Sequence, residues 1–127
     1  MSEKKKILLI VEDETALLKL LQEEFVNEGF EVVTAIDGLN GLNLALTKRP
    51  DLILLDLILP KMDGLSLLRE LRKDSWGVDV PVIILSSLSD AEKISEASEQ
   101  EVFDYLVKAD WKLEDVIKKV KDKLKVA

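Results

Sequence analysis

The chain has 127 residues, enough for one domain with a single core. Hydrophobic residues make up 47% and charged residues 34%, and the longest apolar runs, about five residues, are far shorter than the roughly 20 needed to cross a bilayer. The absence of cysteine excludes disulfides and thiol chemistry, the absence of histidine removes the commonest general base, and the net charge of −7 argues against nucleic-acid binding by this chain alone.

The first half of the chain alternates between two hydrophobic periods. Residues 1–4 are expected to be a flexible tail, and the apolar run at 7–11 is too short for a signal peptide, so we expect a cytoplasmic chain whose first strand is 7–11. A helical stripe ended by Gly29 follows, with the apolar members Leu17, Leu20, Leu21 and Phe25. Residues 32–35 predict a second strand. The next stripe ends before Pro50 and contains Leu39, Leu42, Ala45 and Leu46.

The second half continues the alternation. Strands are predicted at 52–55, 82–85 and 103–107. A third helical stripe between the first two of these contains Leu65, Leu68 and Leu71. Residues 90–101 have few apolar positions, and we expect the fourth helix there. The fifth helix has the most regular spacing, with Leu113, Val116, Ile117, Val120 and Leu124 on one face.

Five strands alternating with five helices predict an α/β fold with a parallel sheet and helices on both faces. The strand runs are continuously apolar rather than alternating, which is typical of strands covered on both sides. The usual doubly wound, flavodoxin-like order for five strands is 2-1-3-4-5, and ligands bind at the carboxyl ends of the strands between the first and third.

Polar residues follow the predicted strands at the same edge of this sheet. Glu12 and Asp13 follow the first strand and Asp56 follows the third, while the next two end in Ser86 and Lys108. A buried, unpaired Asp56 would cost several kcal/mol, on the order of the penalty for burying an isolated ion. We therefore expect Asp56 to end its strand within a pocket that contains three carboxylates, a hydroxyl and an ammonium group.

Three clustered carboxylates repel one another, and one lysine does not balance them. Magnesium prefers such hard oxygen ligands. Acids, a cation, a lysine and a hydroxyl together suit phosphoryl transfer, with Asp56 as the nucleophile that becomes an acyl phosphate. Taken singly, each residue also has a structural interpretation: a helix start for Glu12 and Asp13, a local backbone bond for Ser86, and a solvated surface position for Lys108.

Four segments resemble the receiver domain of bacterial two-component response regulators. They are VEDE at 11–14, LLDLILPKMDG at 54–64, PVIILSS at 81–87 and DYLVKAD at 104–110, and they span most of the chain in the family's order. The resemblance implies that a histidine kinase phosphorylates Asp56. It also implies that magnesium is held by Glu12, Asp13, Asp56 and the backbone carbonyl of Ile58.

The resemblance gives further residues a role in signalling. Lys108 would pair with the phosphoryl group and Ser86 would donate a hydrogen bond to it. Tyr105 would be the switch aromatic that turns inward when Ser86 moves, although a plain core position is equally open for it. This movement would remodel the face formed by the fourth helix, fifth strand and fifth helix, where downstream proteins dock.

The sequence departs from the family pattern at several positions. Ala109 replaces a proline that commonly allows a cis bond, and a non-proline cis bond costs about 2.5–4 kcal/mol. The Lys108–Ala109 peptide is therefore expected to be either strained cis or trans with a shifted lysine. Ser87 replaces a usual Ala or Gly, Gln100 and Glu101 replace a common Gly-Ala turn, and Glu12 is a frequent substitute for Asp.

Other classes of protein fit less well. A flavin site needs a phosphate cradle where acids follow the first strand, and a P-loop needs a glycine pattern that Gly38 and Gly41 do not supply. An aspartyl phosphohydrolase would carry an acid/base residue at Ile58.

We expect a single, stand-alone receiver domain over residues 1–127, similar to chemotaxis regulators. Such a domain assists its own phosphorylation and dephosphorylation but is not a turnover enzyme. It would dock on a target protein, relay phosphate to a phosphotransfer domain, or be part of a longer protein.

Overall fold

The computed structural model describes residues 4–86, 95, 104–107 and 112–126. Its strands are β1 (Ile7–Val11), β2 (Glu31–Ala35), β3 (Leu52–Leu55), β4 (Val82–Ser86) and β5 (Asp104–Val107). Its helices are α1 (Thr15–Asn27), α2 (Gly38–Lys48), α3 (Gly64–Lys73) and the C-terminal helix (Leu113–Leu124). The predicted helix at 90–101 lies outside the described residues except for Ser95, which is helical. None of the helices within the described ranges is long and apolar enough to cross a membrane.

The strands pair in parallel in one sheet, in the order β2-β1-β3-β4-β5. The predicted α/β class is confirmed, and β1 and β3 are neighbours at the centre. Val11 at the end of β1 lies opposite Leu55 at the end of β3. Glu12 and Asp56, the next residues along each strand, therefore leave the sheet at the same edge.

Both faces of the sheet are covered by apolar side chains. Leu9, Val11, Ile53 and Leu55 belong to the cluster that includes residues of α2 and α3, whereas Leu8, Ile10, Leu52 and Leu54 belong to the cluster that includes residues of α1 and the C-terminal helix. Alternate residues of a strand point to opposite faces, so a strand covered twice must be apolar at every position. This explains the continuous runs in the sequence.

The helical stripes were predicted correctly in position but not in every member. Leu20 is 44% exposed and Leu39 is 51% exposed, so the assignment of both to buried faces was wrong. Leu18, instead, is buried with Leu21 and Phe25 on α1. The spacing of three and seven residues between these three places them on one side of a helix with 3.6 residues per turn, and Leu20 lies on the opposite side.

The end of α1 confirms the role predicted for Gly29. Its backbone is left-handed, with φ of +95°. The Gly29 N–H donates to the Val26 carbonyl and the Phe30 N–H donates to the Phe25 carbonyl, both at 3.0 Å. This pair of bonds forms a Schellman motif, and its usual apolar contact is the edge-to-face pair of Phe25 and Phe30, whose ring centroids lie 5.5 Å apart.

Candidate functional site

Three carboxylates meet at the carboxyl edge of β1 and β3. Glu12, Asp13 and Asp56 each offer one oxygen, and these oxygens all lie within 4.8 Å of one another. Glu12 is 3% exposed and Asp56 5% exposed, whereas Asp13 is exposed. The acidic part of the predicted pocket is therefore present, with its open side at Asp13.

Backbone hydrogen bonds fix where these acids leave the sheet. The Asp56 N–H donates to the Val11 carbonyl at 3.0 Å, and the Glu12 N–H donates to the Ala35 carbonyl at 3.0 Å. These bonds extend the parallel ladder by one residue past the ends of β1 and β3. Glu12 is therefore still bonded to β2, and Asp56 to β1.

The chain then turns sharply after Asp56. The Gly64 N–H, at the start of α3, donates to the Leu57 carbonyl at 2.8 Å. A Cβ at position 64 would lie 2.3 Å from the Asp56 carbonyl oxygen, which is much closer than any real contact. Only glycine allows α3 to begin this close to Asp56.

The donor set fits a hard divalent cation. Two carboxylate oxygens no more than 4.8 Å apart repel by at least about 3.5 kcal/mol at an effective dielectric constant of about 20. Carboxylate oxygens are the ligands that magnesium prefers, and it retains several waters, which the open side at Asp13 admits. Three acidic residues that follow two adjacent strands could therefore hold such an ion, and its charge would offset their repulsion.

The remaining predicted residues are described only in part. Ile58 is 51% exposed in the loop after β3, and its N–H donates to Oδ1 of Asp56 at 3.2 Å. Ser86 ends β4 and Tyr105 lies in β5, but their side chains are not described. The backbone of Ser86 pairs with Val107, the residue before Lys108.

Lys108 itself lies outside the described residues, as do Ser87, Gln100, Glu101 and Ala109. The described residues contain no cis peptide bond, and the Lys108–Ala109 bond is not among them. The expectations for these positions stay predictions.

One acid near the site was missed from the sequence. Asp37 is 3% exposed and begins α2, where it accepts hydrogen bonds from the Asn40 N–H at 2.8 Å and side-chain amide at 2.9 Å. The Asn40 N–H is the main reason that the pKa of Asp37 lies below its usual value, and Lys61, 3.8 Å away, acts in the same direction against desolvation. Its signal in the sequence is an Asp immediately before a helical stripe.

Comparisons with known proteins agree with this geometry. The model of the response regulator receiver domain matches residues 8–121. A probable transcriptional regulator, ycf27 of Guillardia theta, is 42% identical over 106 residues, which are 84% of this chain and 41% of that protein. The chain thus spans 40–47% of the length of the curated relatives it matches first.

Solved structures match over nearly the whole chain. A CheY-like receiver domain from Methanospirillum hungatei has a TM-score of 0.89 at 28% identity and covers 96% of this chain and 95% of its own. The receiver domain of the sensor histidine kinase PA1611 from Pseudomonas aeruginosa, which holds magnesium in its active-site cleft, has a TM-score of 0.84 at 27% identity, with coverages of 94% and 97%. With its family match, sheet order and acidic cluster, this chain belongs to the receiver domains of two-component response regulators.

Proposed function

We propose that residues 1–127 form a single receiver domain that accepts a phosphoryl group on Asp56 from the phosphohistidine of a histidine kinase and acts as a cytoplasmic signalling switch. The convergence of Glu12, Asp13 and Asp56 within 4.8 Å is the observation that carries the proposal. Asp56 is the acceptor because it directly follows the central strand β3 and its carboxylate clusters with that of the exposed Asp13.

The chemistry requires positioning more than reactive side chains. An Asp56 carboxylate oxygen attacks phosphorus, the phosphorus–nitrogen bond to the histidine breaks, and the freed imidazole takes up a proton. Glu12, Asp13, Asp56 and the Ile58 carbonyl would hold Mg2+, which would neutralise charge on the phosphoryl oxygens. Lys108 would pair with those oxygens and Ser86 would donate to one of them.

The phosphorylated carboxyl group then changes a docking surface. Ser86 would be drawn toward the phosphoryl group and Tyr105 would follow it inward. The face of the fourth helix, fifth strand and C-terminal helix would change in consequence. Its partner would be a downstream protein or a phosphotransfer domain. A further domain of the same protein is the third possibility, which is supported by the relatives that are longer transcriptional regulators with sequence outside the match.

A phosphohydrolase mechanism is disfavoured by Ile58. That position, two residues after the nucleophile, would need a group that can take and give a proton, and an isoleucine side chain has none. The domain assists its own phosphorylation and slow dephosphorylation, and it turns over no other substrate.

Intact-mass spectrometry after incubation with acetyl phosphate tests the proposal. We expect one added phosphoryl group with Mg2+, none after chelation, and none in Asp56→Asn. Asp79→Asn, an exposed aspartate before β4, is the matched control and should be phosphorylated like the wild type. An unchanged mass in a folded wild-type protein under every condition would instead indicate a receiver used only for binding.

A further inference from the structure

The loop of residues 57–63 joins β3 to α3 and contains a strained turn. The Met62 N–H donates to the Pro60 carbonyl at 2.8 Å, and Lys61 between them has φ of +69°. A bond from residue i+2 back to residue i across a positive φ is the rare, strained form of the γ-turn. Such a backbone persists only where surrounding contacts hold it in place.

The contacts that hold this turn come from the start of α2. The Gly38 N–H donates to the Pro60 carbonyl at 3.2 Å. The Pro60 oxygen thus accepts hydrogen bonds from both the Gly38 and the Met62 N–H groups. A Cβ at Gly38 would lie 1.8 Å from the Met62 carbonyl oxygen, so α2 begins in direct backbone contact with the turn. Asp37, next to Gly38, lies 3.8 Å from the Lys61 ammonium.

The other end of the loop is held independently. Gly64 bonds to the Leu57 carbonyl and packs against Asp56, as described above. The loop is therefore held at two points. Gly64 holds its first residue, Leu57, and Gly38 holds Pro60 and Met62 in its second half. Ile58, which supplies the proposed carbonyl ligand, lies between Asp56 and the γ-turn.

We propose that Asp37 and Gly38 are positioning residues for the metal site: they hold the strained γ-turn at Lys61 and thereby the loop that carries Ile58. The proposal rests on the proposed function, because it assumes that a cation binds at Glu12, Asp13 and Asp56. It adds a long-range requirement, in which the first turn of α2 sets the geometry of a site on the loop after β3.

The contributions of the two residues differ. The Lys61 side chain is 63% exposed, and an exposed ion pair at 3.8 Å contributes little. The Lys61 side chain can move away from Asp37 at little cost. The contact between Gly38 and Met62 cannot relax like this, because both partners are main chain. Asp37 acts chiefly by fixing the first turn of α2 through its two bonds from Asn40.

The test is the dissociation constant for Mg2+, measured by isothermal titration calorimetry below the unfolding transition. Gly38→Ala should raise it about tenfold or more, in the range seen when groups that orient metal ligands are removed. Gly77→Ala is the matched control, because a Cβ there would lie 2.2 Å from the Leu71 carbonyl oxygen, at the opposite end of α3 from the site. It should destabilise the protein and leave the Mg2+ dissociation constant unchanged.

Variants of Asp37 keep the test decisive if Gly38→Ala fails to fold. Asp37→Ala should weaken Mg2+ binding severalfold, Asp37→Asn should restore most of it by keeping an acceptor for the Asn40 N–H, and Lys61→Gln should change it less than twofold. Equal Mg2+ affinity in wild type, Gly38→Ala and Asp37→Ala would overturn the proposal. Absence of Mg2+ binding in the wild type, or undiminished binding in Asp13→Asn, would instead refute the proposed function.

Discussion

The main-chain N–H of Ile58 donates a hydrogen bond to Oδ1 of Asp56, 3.2 Å away. An aspartate that accepts from the residue two positions on forms an Asx turn, which bends the chain out of the sheet where β3 ends. The same carboxylate thus begins the loop and lies in the acidic cluster. Asparagine can accept the same bond, so Asp56→Asn should remain folded, and its failure to take up a phosphoryl group would reflect lost chemistry.

Removal of one acid from the cluster should separate metal binding from stability. In Asp13→Asn without metal, we expect an unchanged or slightly raised melting temperature, because a like charge within 4.8 Å of two others is neutralised. With Mg2+ the wild type should gain stability, by about 2.7 kcal/mol at a concentration 100 times the dissociation constant, and the variant much less. Thermal unfolding with and without MgCl2, at matched ionic strength, measures both effects.

The Asp79→Asn variant controls for the loss of a negative charge elsewhere. It should respond to Mg2+ as the wild type does. An equal Mg2+ response in Asp13→Asn would show that the cation binds away from the cluster.

Asp63, the residue that caps the start of α3, should make the free energy of unfolding depend on pH. Desolvation raises its pKa, but the hydrogen bonds from the Ser66 N–H and hydroxyl, both at 2.9 Å, outweigh this and hold the pKa below its usual value of 3.8. A lowered folded-state pKa stabilises the protein above pH 3.8, and that contribution is lost as the pH falls through the folded value. Asp63→Ala should therefore cost about 1 kcal/mol at neutral pH, as for other helix caps, and progressively less below pH 3.8.

Urea unfolding at neutral and acidic pH checks this expectation. Asp63→Asn is the control, because it keeps a capping oxygen that does not titrate. The difference in free energy of unfolding between Asp63→Asn and Asp63→Ala should stay constant with pH. A cost for Asp63→Ala that is the same at both pH values would show that the carboxylate charge contributes nothing.

A substitution at Gly29 tests the cost of a left-handed backbone alone, because an added side chain would cause no steric clash. A Cβ there would meet nothing within 4 Å, yet φ is +95°. Gly29→Ala should therefore destabilise the protein by about 1 kcal/mol, the cost of a left-handed conformation for a residue with a Cβ. Gly29→Asn should cost less, since asparagine tolerates this region. Urea midpoints at a constant m-value give the comparison, and an unchanged midpoint for the alanine variant would contradict the Schellman ending.

The sequence predicted those features that depend on local pattern and strand order. Continuous apolar runs indicated the strands, and parallel order placed Glu12, Asp13 and Asp56 at one edge, because the carboxyl ends of neighbouring parallel strands meet there. The error at Leu20 arose because several leucines on α1 fit more than one helical stripe. Tertiary packing, not spacing alone, decides which of them is buried.

The role of Gly38 could not be predicted in the same way. Its contact with Met62 joins residues 24 positions apart, and the requirement for glycine arises only where α2 and the loop meet. Asp37 was missed, although an Asp before a helical stripe is a helix-cap signal, and its proximity to Lys61 depends on that same meeting. Local patterns carry no information about such close approaches between distant segments.

Ile58 should govern how long the phosphorylated state lasts. Ile58 is 51% exposed, two residues after Asp56, and its side chain cannot exchange a proton with an attacking water. We expect Ile58→Asp to hydrolyse the acyl phosphate at least about tenfold faster, because a placed general base typically contributes 10²- to 10⁴-fold and an engineered one less. The decay of the phosphorylated mass after removal of acetyl phosphate gives the rate.

Ile58→Asn separates proton transfer from simple access of water. It matches aspartate in size and polarity but cannot act as a base near neutral pH, so it should leave the lifetime close to that of the wild type. The rate for Ile58→Asp should also fall as the carboxylate is protonated at acidic pH. Equal acceleration by Asp and Asn would mean that the isoleucine protects the phosphoryl group by excluding water, and the absence of a base would then be irrelevant.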